Sequence, residues 1–372
     1  MRIMSPWLIA GIVATIVGPA LLGSQAVARP QWTADQANTW YSHQGWPVGS
    51  NFIPKDAINQ LEMWQADTFD AQEIDWELGL AEHTGMTTMR VFLHDQLWTQ
   101  DPAGFKSRID TFLTIAAKHH IKPLFVLFDS CWDPNPKLGK QHDPVPGVHN
   151  SGWVQSPGWA RLQDMSVRPQ LEAYVKGVVG AYANDDRVLG WDVWNEPQET
   201  VAGTTLVADL LPQVFAWARS VDPSQPLTSG LFTGGDWSLA AESSLTAIER
   251  TQVEQSDIIS FHNYGWPEDF EGRIKQLVSY GKPVFCTEYM ARGAGSTIDN
   301  SLPIGKQYHV AMYNWGFVDG KTQTRFPWDS AEHPYVTHEP TVWFHDLYHK
   351  DGTPYRQHEI DMIRDLTGYE AE

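Results

Sequence analysis

Residues 191–197 read Trp191-Asp192-Val193-Trp194-Asn195-Glu196-Pro197, an apolar run that closes on a carboxylate. Strands normally give way to turn residues, so an Asn-Glu-Pro ending is unusual. A second run, Pro283–Thr287, is followed by Glu288-Tyr289 and repeats the arrangement. Functional groups at the C-terminal ends of strands are the habit of parallel α/β barrels, whose mouth is built from those ends.

Working outward from these two stretches, short apolar β-branched runs alternate with longer amphipathic ones, the signature of βαβ units. Candidate strands are Gly49–Ile53, Thr87–Leu93, Pro123–Phe128, Val188–Trp194, Pro226–Phe232, Ile258–Tyr264, Pro283–Thr287 and Ala311–Val318. Helical patterns between them include Ala71–His83, Ala103–His119, Val167–Ala183, Leu206–Ser220 and Glu268–Tyr280, with a last one near Tyr355–Leu366. Asp70 and Glu73 stand at capping-box spacing before the first of these. Eight units with no linker and no internal repeat predict an α/β fold, a (β/α)8 TIM barrel in one domain. No Gly-x-Gly-x-x-Gly opens the first helix, which argues against a nucleotide site and against an open doubly wound sheet built around one. Cys131–Met165 is too long for an ordinary βα connection and is expected to lie over the catalytic face after the third strand.

Residues 1–28 read as a leader. Arg2 precedes an uncharged run from Trp7 to Leu22, and Ala26-Val27-Ala28 offers a small-residue cleavage site. The expected organisation is therefore a signal peptide at 1–28 and a catalytic domain at 29–372, secreted or periplasmic, with no membrane association after cleavage. Lys plus Arg number 26 against 45 Asp plus Glu, a formal charge of −19. That balance argues against nucleic acid and anionic membrane surfaces, which reward clustered positive charge, and favours a neutral substrate over a polyanion. Eighteen tryptophans suit stacking against the C–H faces of sugar rings, although Trp is also good core material. Cys131 and Cys286 are expected to be unpaired, with Cys286 pointing into the barrel below the site and Cys131 on its far side.

Two carboxylates facing one another across a barrel mouth are what glycosidic cleavage requires, one protonating the leaving oxygen and the other attacking or activating water. Parity supports this placement. Ser260, His262 and Tyr264 share an inward face while Ile259 and Phe261 point outward, and Arg90, Phe92 and His94 share another face. A buried Arg90 needs an anionic partner, which Glu288 or Asp192 can provide, and Tyr264 can donate to Glu288.

On Asn195-Glu196-Pro197, Glu288, His262-Asn263-Tyr264, Arg90 and Trp315 the chain resembles clan A of the glycoside hydrolases, family 5 (cellulase-like) or a close neighbour, over most of the sequence. The resemblance implies Glu196 as acid/base, Glu288 as nucleophile and Asn195 as holder of the sugar 2-hydroxyl. It further implies Arg90, His262, Tyr264 and Trp315 around the reactive sugar. Where that family commonly carries a His at the third strand's end this chain has Phe128-Asp129-Ser130-Cys131-Trp132, with His94 on the second strand, so Asp129 and His94 join the substrate-binding candidates. The expected activity is retaining hydrolysis of a β-linked, β-1,4 by preference, neutral polysaccharide or oligosaccharide. The alternatives are exo-action or transglycosylation on short oligosaccharides, or a non-catalytic carbohydrate-binding barrel. Exo-action is expected if Cys131–Met165 covers one end of the site. No cofactor and no metal is expected: His142, Asp143 and His149 lack a recognised ligand spacing. His119-His120 reads as a surface pair favoured by a helix C-terminus. Trp132, Trp153 and Trp159 read equally as a substrate platform or as loop packing. The oligomeric state has no signature in the sequence.

Overall fold

A computed structural model describes residues 28–200 and 203–370. The leader expected at 1–28 therefore lies almost wholly outside the described residues. Among those described, no helix is long and apolar enough to cross a membrane.

Eight parallel strands form one sheet: β1 Val48–Phe52, β2 Thr88–Phe92, β3 Lys122–Val126, β4 Gly190–Asp192, β5 Leu227–Thr228, β6 Ile259–His262, β7 Val284–Tyr289 and β8 Ala311–Asn314. Their order runs β5-β4-β3-β2-β1-β8-β7-β6, so only β5 and β6 remain to be joined. An outer ring follows the strands in turn: α1 Ala71–His83, α2 Pro102–Lys118, α3 Arg168–Ala181, α4 Thr204–Arg219, α5 Ala247–Gln255, α6 Pro267–Leu277, α7 Ile298–Gln307 and α8 Gln357–Thr367. Each helix buries an apolar stripe against the sheet, as Ile109, Phe112, Leu113 and Ala116 do on α2. The Asp70 carboxylate caps α1 by accepting from the Gln72 and Glu73 N–H groups, while Glu73 turns away to pair with Lys55.

A strand of only two residues cannot close a barrel by ladder bonds alone, and the β5/β6 seam is stitched by side chains. Leu231 forms a lone bridge to Phe261. Below it the Asp257 N–H donates to Leu227 O (2.8 Å), and the Asp257 carboxylate accepts back from Leu227 N–H (2.9 Å). The same carboxylate, fully buried, holds Arg29 at 2.6 Å and Arg219 at 3.2 Å. It thereby ties the segment before the barrel and the end of α4 to the seam.

β7 departs from simple alternation. Phe261 pairs with Cys286 and His262 with Glu288, while Cys286 pairs with Met312 and Tyr289 with Asn314, so β7 carries one more residue than either neighbour. Such a bulge re-aims side chains. It brings Glu288 to the mouth although Cys286, two residues earlier, belongs to the outer core cluster with Phe270, Ile274 and Leu302 of the helices. The expectation that Cys286 points into the barrel is thereby corrected. Both cysteines are free thiols.

Replacing Asp257 by Ala leaves two arginines beside a seam that has lost its acceptor. The expected cost is about 3–5 kcal/mol, as for other broken buried ion pairs, read from the midpoint of urea unfolding.

Candidate active site

Arg90 on β2 rises through the centre of the barrel with no solvent exposure. Its Nε and Nη2 donate to Asp192 Oδ2 (3.0 and 2.8 Å), Nη1 to Asn51 Oδ1 (2.9 Å) and Glu288 Oε1 (2.8 Å), and Nη2 also to Asn195 Oδ1 (2.7 Å). Burial disfavours the charge, but Asp192 and Glu288 overcompensate and hold the guanidinium above its ordinary pKa. Both anionic partners expected from sequence are used at once.

Glu288 receives a second donor on its other oxygen, the Tyr264 hydroxyl at 2.7 Å. Glu196 accepts from the Cys131 thiol (Oε2, 3.1 Å) and faces His262 Nδ1 (Oε1, 2.7 Å). One oxygen of Glu196 and one of Glu288 lie within 4.8 Å of each other, with His262 between them. Burial raises the pKa of both carboxyls; the charge on Glu196 raises that of Glu288 further, while His262, Arg90 and Tyr264 lower it. Donor quality separates the pair. Glu288 holds a guanidinium and a phenol, whereas Glu196 holds a weak thiol donor and an imidazole whose own pKa burial drives down to about 4. The stronger donors on Glu288 favour its ionised form, and Glu196 has weaker ones.

Local backbone geometry aims Glu196. Its φ is 43°, left-handed for a non-glycine residue and directly before Pro197, a conformation that costs of order 1–3 kcal/mol and persists only where surroundings enforce it. Enforcement comes from Asn195 N–H on Phe128 O (2.8 Å), Ser130 N–H on Asn195 O (3.2 Å) and Glu199 N–H on Glu196 O (3.0 Å).

A cleft of about 480 Å³ opens above these groups, within the roughly 300–1,000 Å³ of small-molecule sites. Asn195, Glu196, Tyr264, Glu288 and Trp315 line it, together with Trp132, His149, Asn150, Trp153 and Trp328. Trp315 lies edge-on to Phe92 (5.9 Å) and Trp153 (5.8 Å). A smaller adjoining recess shares Glu196, Phe232 and Tyr264 with the cleft and adds Trp237, His262, Asn263 and Arg273.

Two candidates are displaced from substrate contact. β2 ends at Phe92, and His94 becomes the cap of a short helix at 95–100. Its Nδ1 accepts from Gln96 N–H (3.2 Å) and its Nε2 donates to Gln155 O (3.0 Å), so neither nitrogen is left for a ligand. Asp129 lies under Asn195 and accepts from Asn195 Nδ2 (2.8 Å), Cys131 N–H (3.0 Å), Trp153 Nε1 (2.6 Å) and Gln60 Nε2 (3.2 Å). Burial pushes its pKa up to about 6 against these donors. It orients Asn195 rather than facing the cleft. Cys131 follows β3, across the barrel from the β7 that carries Cys286, as expected, and its thiol touches Glu196, a contact the sequence did not suggest. Of the loop tryptophans, Trp132 and Trp153 line the cleft, while Trp159 packs beside Gly203. Glu199 and Phe232 also reach the cleft without having been singled out.

Among the described residues two His/carboxylate groups converge closely enough for a cation: Glu196, His262 and Glu288, and Asp299, His358 and Glu359. In the first, Arg90 already sits on Glu288. In the second, Glu359 is bound by both Nε (2.8 Å) and Nη2 (2.5 Å) of Arg292. Neither arrangement favours a metal, because each would set a cation against a guanidinium. His142, Asp143 and His149 do not converge: His149 bonds Phe326 O, and His142 bonds the Asp143 carbonyl. His119 is buried between Glu82 (2.9 Å) and Asp75 (2.7 Å) of α1, so of the expected surface pair only His120 is exposed.

A parallel barrel with carboxylates from β4 and β7 meeting across its mouth, on a buried arginine, defines the clan of barrel glycoside hydrolases to which the sequence pointed. Residues 81–329 match the sequence profile of cellulase (glycosyl hydrolase family 5), and the chain belongs to that family. It is 22% identical over 216 residues to a mannan endo-1,4-beta-mannosidase A of Emericella nidulans, covering 56% of this chain and 52% of that protein. The chain spans about half the length of the curated relatives it matches. Among solved structures it resembles an exo-beta-1,4-mannosidase, Op5Man5, from Opitutaceae bacterium strain TAV5 (TM-score 0.57, 17% identity, 87% of this chain and 60% of that one). It also resembles an endo-beta-1,4-mannanase from Thermotoga petrophila (TM-score 0.55, 16% identity, 88% and 77%). At these identities the structural likeness speaks to fold.

Removing the Tyr264 hydroxyl takes away a donor that favours ionised Glu288. Tyr264→Phe is expected to move the acid limb of the kcat/KM pH profile to higher pH, with the alkaline limb less affected. An unchanged acid limb would show that Tyr264 does not tune Glu288.

Proposed function

We propose that this chain is a retaining β-glycosidase acting on β-1,4-linked neutral saccharides, with mannan-type chains the first to try. The observation that carries the reading is the meeting of Glu196 and Glu288, one oxygen of each lying within 4.8 Å of the other, a close approach of the kind a retaining pair makes (about 5–5.5 Å between carboxyls, against about 6.5–9.5 Å in an inverting pair). Glu288, oriented by Arg90 and Tyr264, attacks the anomeric carbon and displaces the glycosidic oxygen. Glu196 gives its proton to that oxygen, so the leaving sugar departs as a neutral alcohol.

The pair then exchanges roles by electrostatics. While Glu288 is ionised, its charge helps keep the Glu196 proton in place. Once Glu288 is esterified that charge is gone, the Glu196 pKa falls, and the carboxylate, now accepting from His262 Nδ1–H and Cys131 S–H, can take a proton from water. Asn195, fixed by Asp129, remains beside the reactive sugar, and Trp315 lines the same cleft.

The form of the cleft supports action near a chain end. Residues 145–150 of the loop after β3 are bonded to the segment after β8: Asn150 N–H to Thr322 O (2.7 Å), Tyr335 N–H to Gly147 O (3.0 Å), and Gln323 Nε2 to Val145 O and Val148 O (2.8 and 3.1 Å). The two loops make a wall across one end of the site. The names of the mannan-active relatives support the choice of sugar, and the exo-acting neighbour agrees with the wall. The leader read in the sequence at 1–28 supports export.

The test is a panel of β-mannans, β-glucans, xylans and their oligosaccharides and aryl glycosides, with Glu288→Ala as control. The expected result is hydrolysis of a β-1,4-mannooligosaccharide with the β-anomer released first by NMR, and a loss of at least about 10²–10⁴-fold in Glu288→Ala. Short products should appear from the outset on a long chain, without an early fall in viscosity. An α-anomer as first product would overturn the retaining mechanism, and activity retained in Glu288→Ala would overturn the nucleophile. Azide added to Glu196→Ala on an activated aryl β-glycoside should restore turnover and yield the β-glycosyl azide.

A further inference from the structure

Pairing between β3 and β4 does not stop where the two strands end. Val126 stands opposite Asp192, and further on Asp129 stands opposite Asn195 in the same parallel register. Asn195 N–H bonds Phe128 O (2.8 Å) and Ser130 N–H bonds Asn195 O (3.2 Å), so residues 128–130 run alongside Asn195 as a continued ladder. The next residue, Cys131, is thereby delivered to the side of Glu196. Its N–H is held by Asp129 Oδ1 (3.0 Å), the same oxygen that accepts from Asn195 Nδ2 (2.8 Å).

From that position the Cys131 sulfur, which lines the cleft, meets both neighbours. It accepts from Asn195 Nδ2 (3.4 Å) and donates to Glu196 Oε2 (3.1 Å). Burial, and the charges of Glu196, Asp129 and Glu288, push the thiol pKa well above its ordinary value, so the sulfur keeps the proton it donates. A thiol is a weak donor. It can fix the direction of a carboxyl while adding little to the stability of the carboxylate, as suits an acid that must give up a proton and regain it. With Oε2 engaged as an acceptor, the Glu196 proton belongs on Oε1, the oxygen beside His262 (2.7 Å).

We propose that Cys131 is a positioning residue for the acid/base: anchored by Asp129, its thiol fixes the direction of the Glu196 carboxyl relative to Asn195. One buried carboxylate, Asp129, then sets the acid/base through Cys131 and the candidate holder of the sugar 2-hydroxyl directly. The inference rests on the glycosidase reading above and adds to it a group that acts through Glu196 rather than on the sugar.

The test compares Cys131→Ala, which removes the donor, with Cys131→Ser, which keeps one. The other ionisable groups around Glu196 are His262, Glu288, Tyr264, Arg90, Asp129 and Glu199, and both variants leave them in place. Burial raises the Glu196 pKa and the thiol bond lowers it. Cys131→Ala is therefore expected to move the alkaline limb of the kcat/KM profile to higher pH, and Cys131→Ser to return it to the wild-type position or below. Lost direction should cost Cys131→Ala about 10–10²-fold in kcat/KM on a β-1,4-linked oligosaccharide. The loss should be smaller on a dinitrophenyl glycoside, whose leaving group needs no proton. Cys131→Val, a second variant without a donor, takes the place of alanine if that protein does not fold. An alkaline limb unmoved in the donorless variant, or moved alike by serine, overturns the proposal, as does an equal loss on both substrates. The Glu196 carboxyl carbon, followed by 13C NMR and assigned with Glu196→Gln, gives the same comparison without turnover. The NMR shift together with silence on every β-linked substrate would remove the glycosidase reading alone, whereas turnover without the shift removes only the positioning role.

Discussion

The guanidinium of Arg90 has no water around it, and each of its five N–H groups meets an oxygen: two bonds to Asp192 and one each to Asn51, Glu288 and Asn195. Those partners come from β1, β4, the turn after β4, and β7. A charge buried to that depth costs several kcal/mol unless its geometry is complete, so the barrel must hold these four positions in mutual register or lose stability. The same completeness fixes the candidate machinery. Glu288 is oriented because Arg90 needs it, and Asn195 is oriented from one side by Arg90 and from the other by Asp129. Fold stability and the placement of the reactive groups are thus one electrostatic problem with one solution.

The backbone answers to the same centre. The bulge in β7 delivers Glu288 to the mouth, and the left-handed turn at Glu196 lifts the opposing carboxyl to meet it. Each departs from the regular geometry of its strand, and each sits where a reactive group has to be aimed. Strain and irregularity gather at the site, as expected where local preference yields to function.

Much of this was legible in the sequence because the signals were local. α1 was read at its observed limits from a cap and an apolar stripe, and the eight strands from alternating composition. The parity of Ser260, His262 and Tyr264 was also correct, with Phe261 stacking outward on Phe270. The failures came where a local rule met a tertiary event. Parity carried His94 inward with Arg90, but β2 stops at Phe92 and His94 caps a helix. Parity likewise turned Cys286 inward, and the bulge reverses it. α7 went unread because Pro303 interrupts its pattern, and α5 because it is short and polar, although Thr246 and Glu249 carry a capping box that could have revealed it. Asn150, His149 and Cys131 have no periodicity to read. Their positions depend on how the loop after β3 folds back, which only long-range contacts decide.

The wall across the cleft has a consequence for how this barrel can be altered or can diverge. It belongs to neither loop alone: residues 145–150 and 320–335 complete each other's backbone hydrogen bonds, and Gly147 lies so close that a Cβ there would come within 2.4 Å of the Tyr335 carbonyl carbon. A change of length in one segment would strand the polar groups of the other. The two loops therefore form one unit, tied in turn to Lys55 and Glu62 after β1 through Lys321. Transplanting the closed end onto a related barrel would require both pieces together.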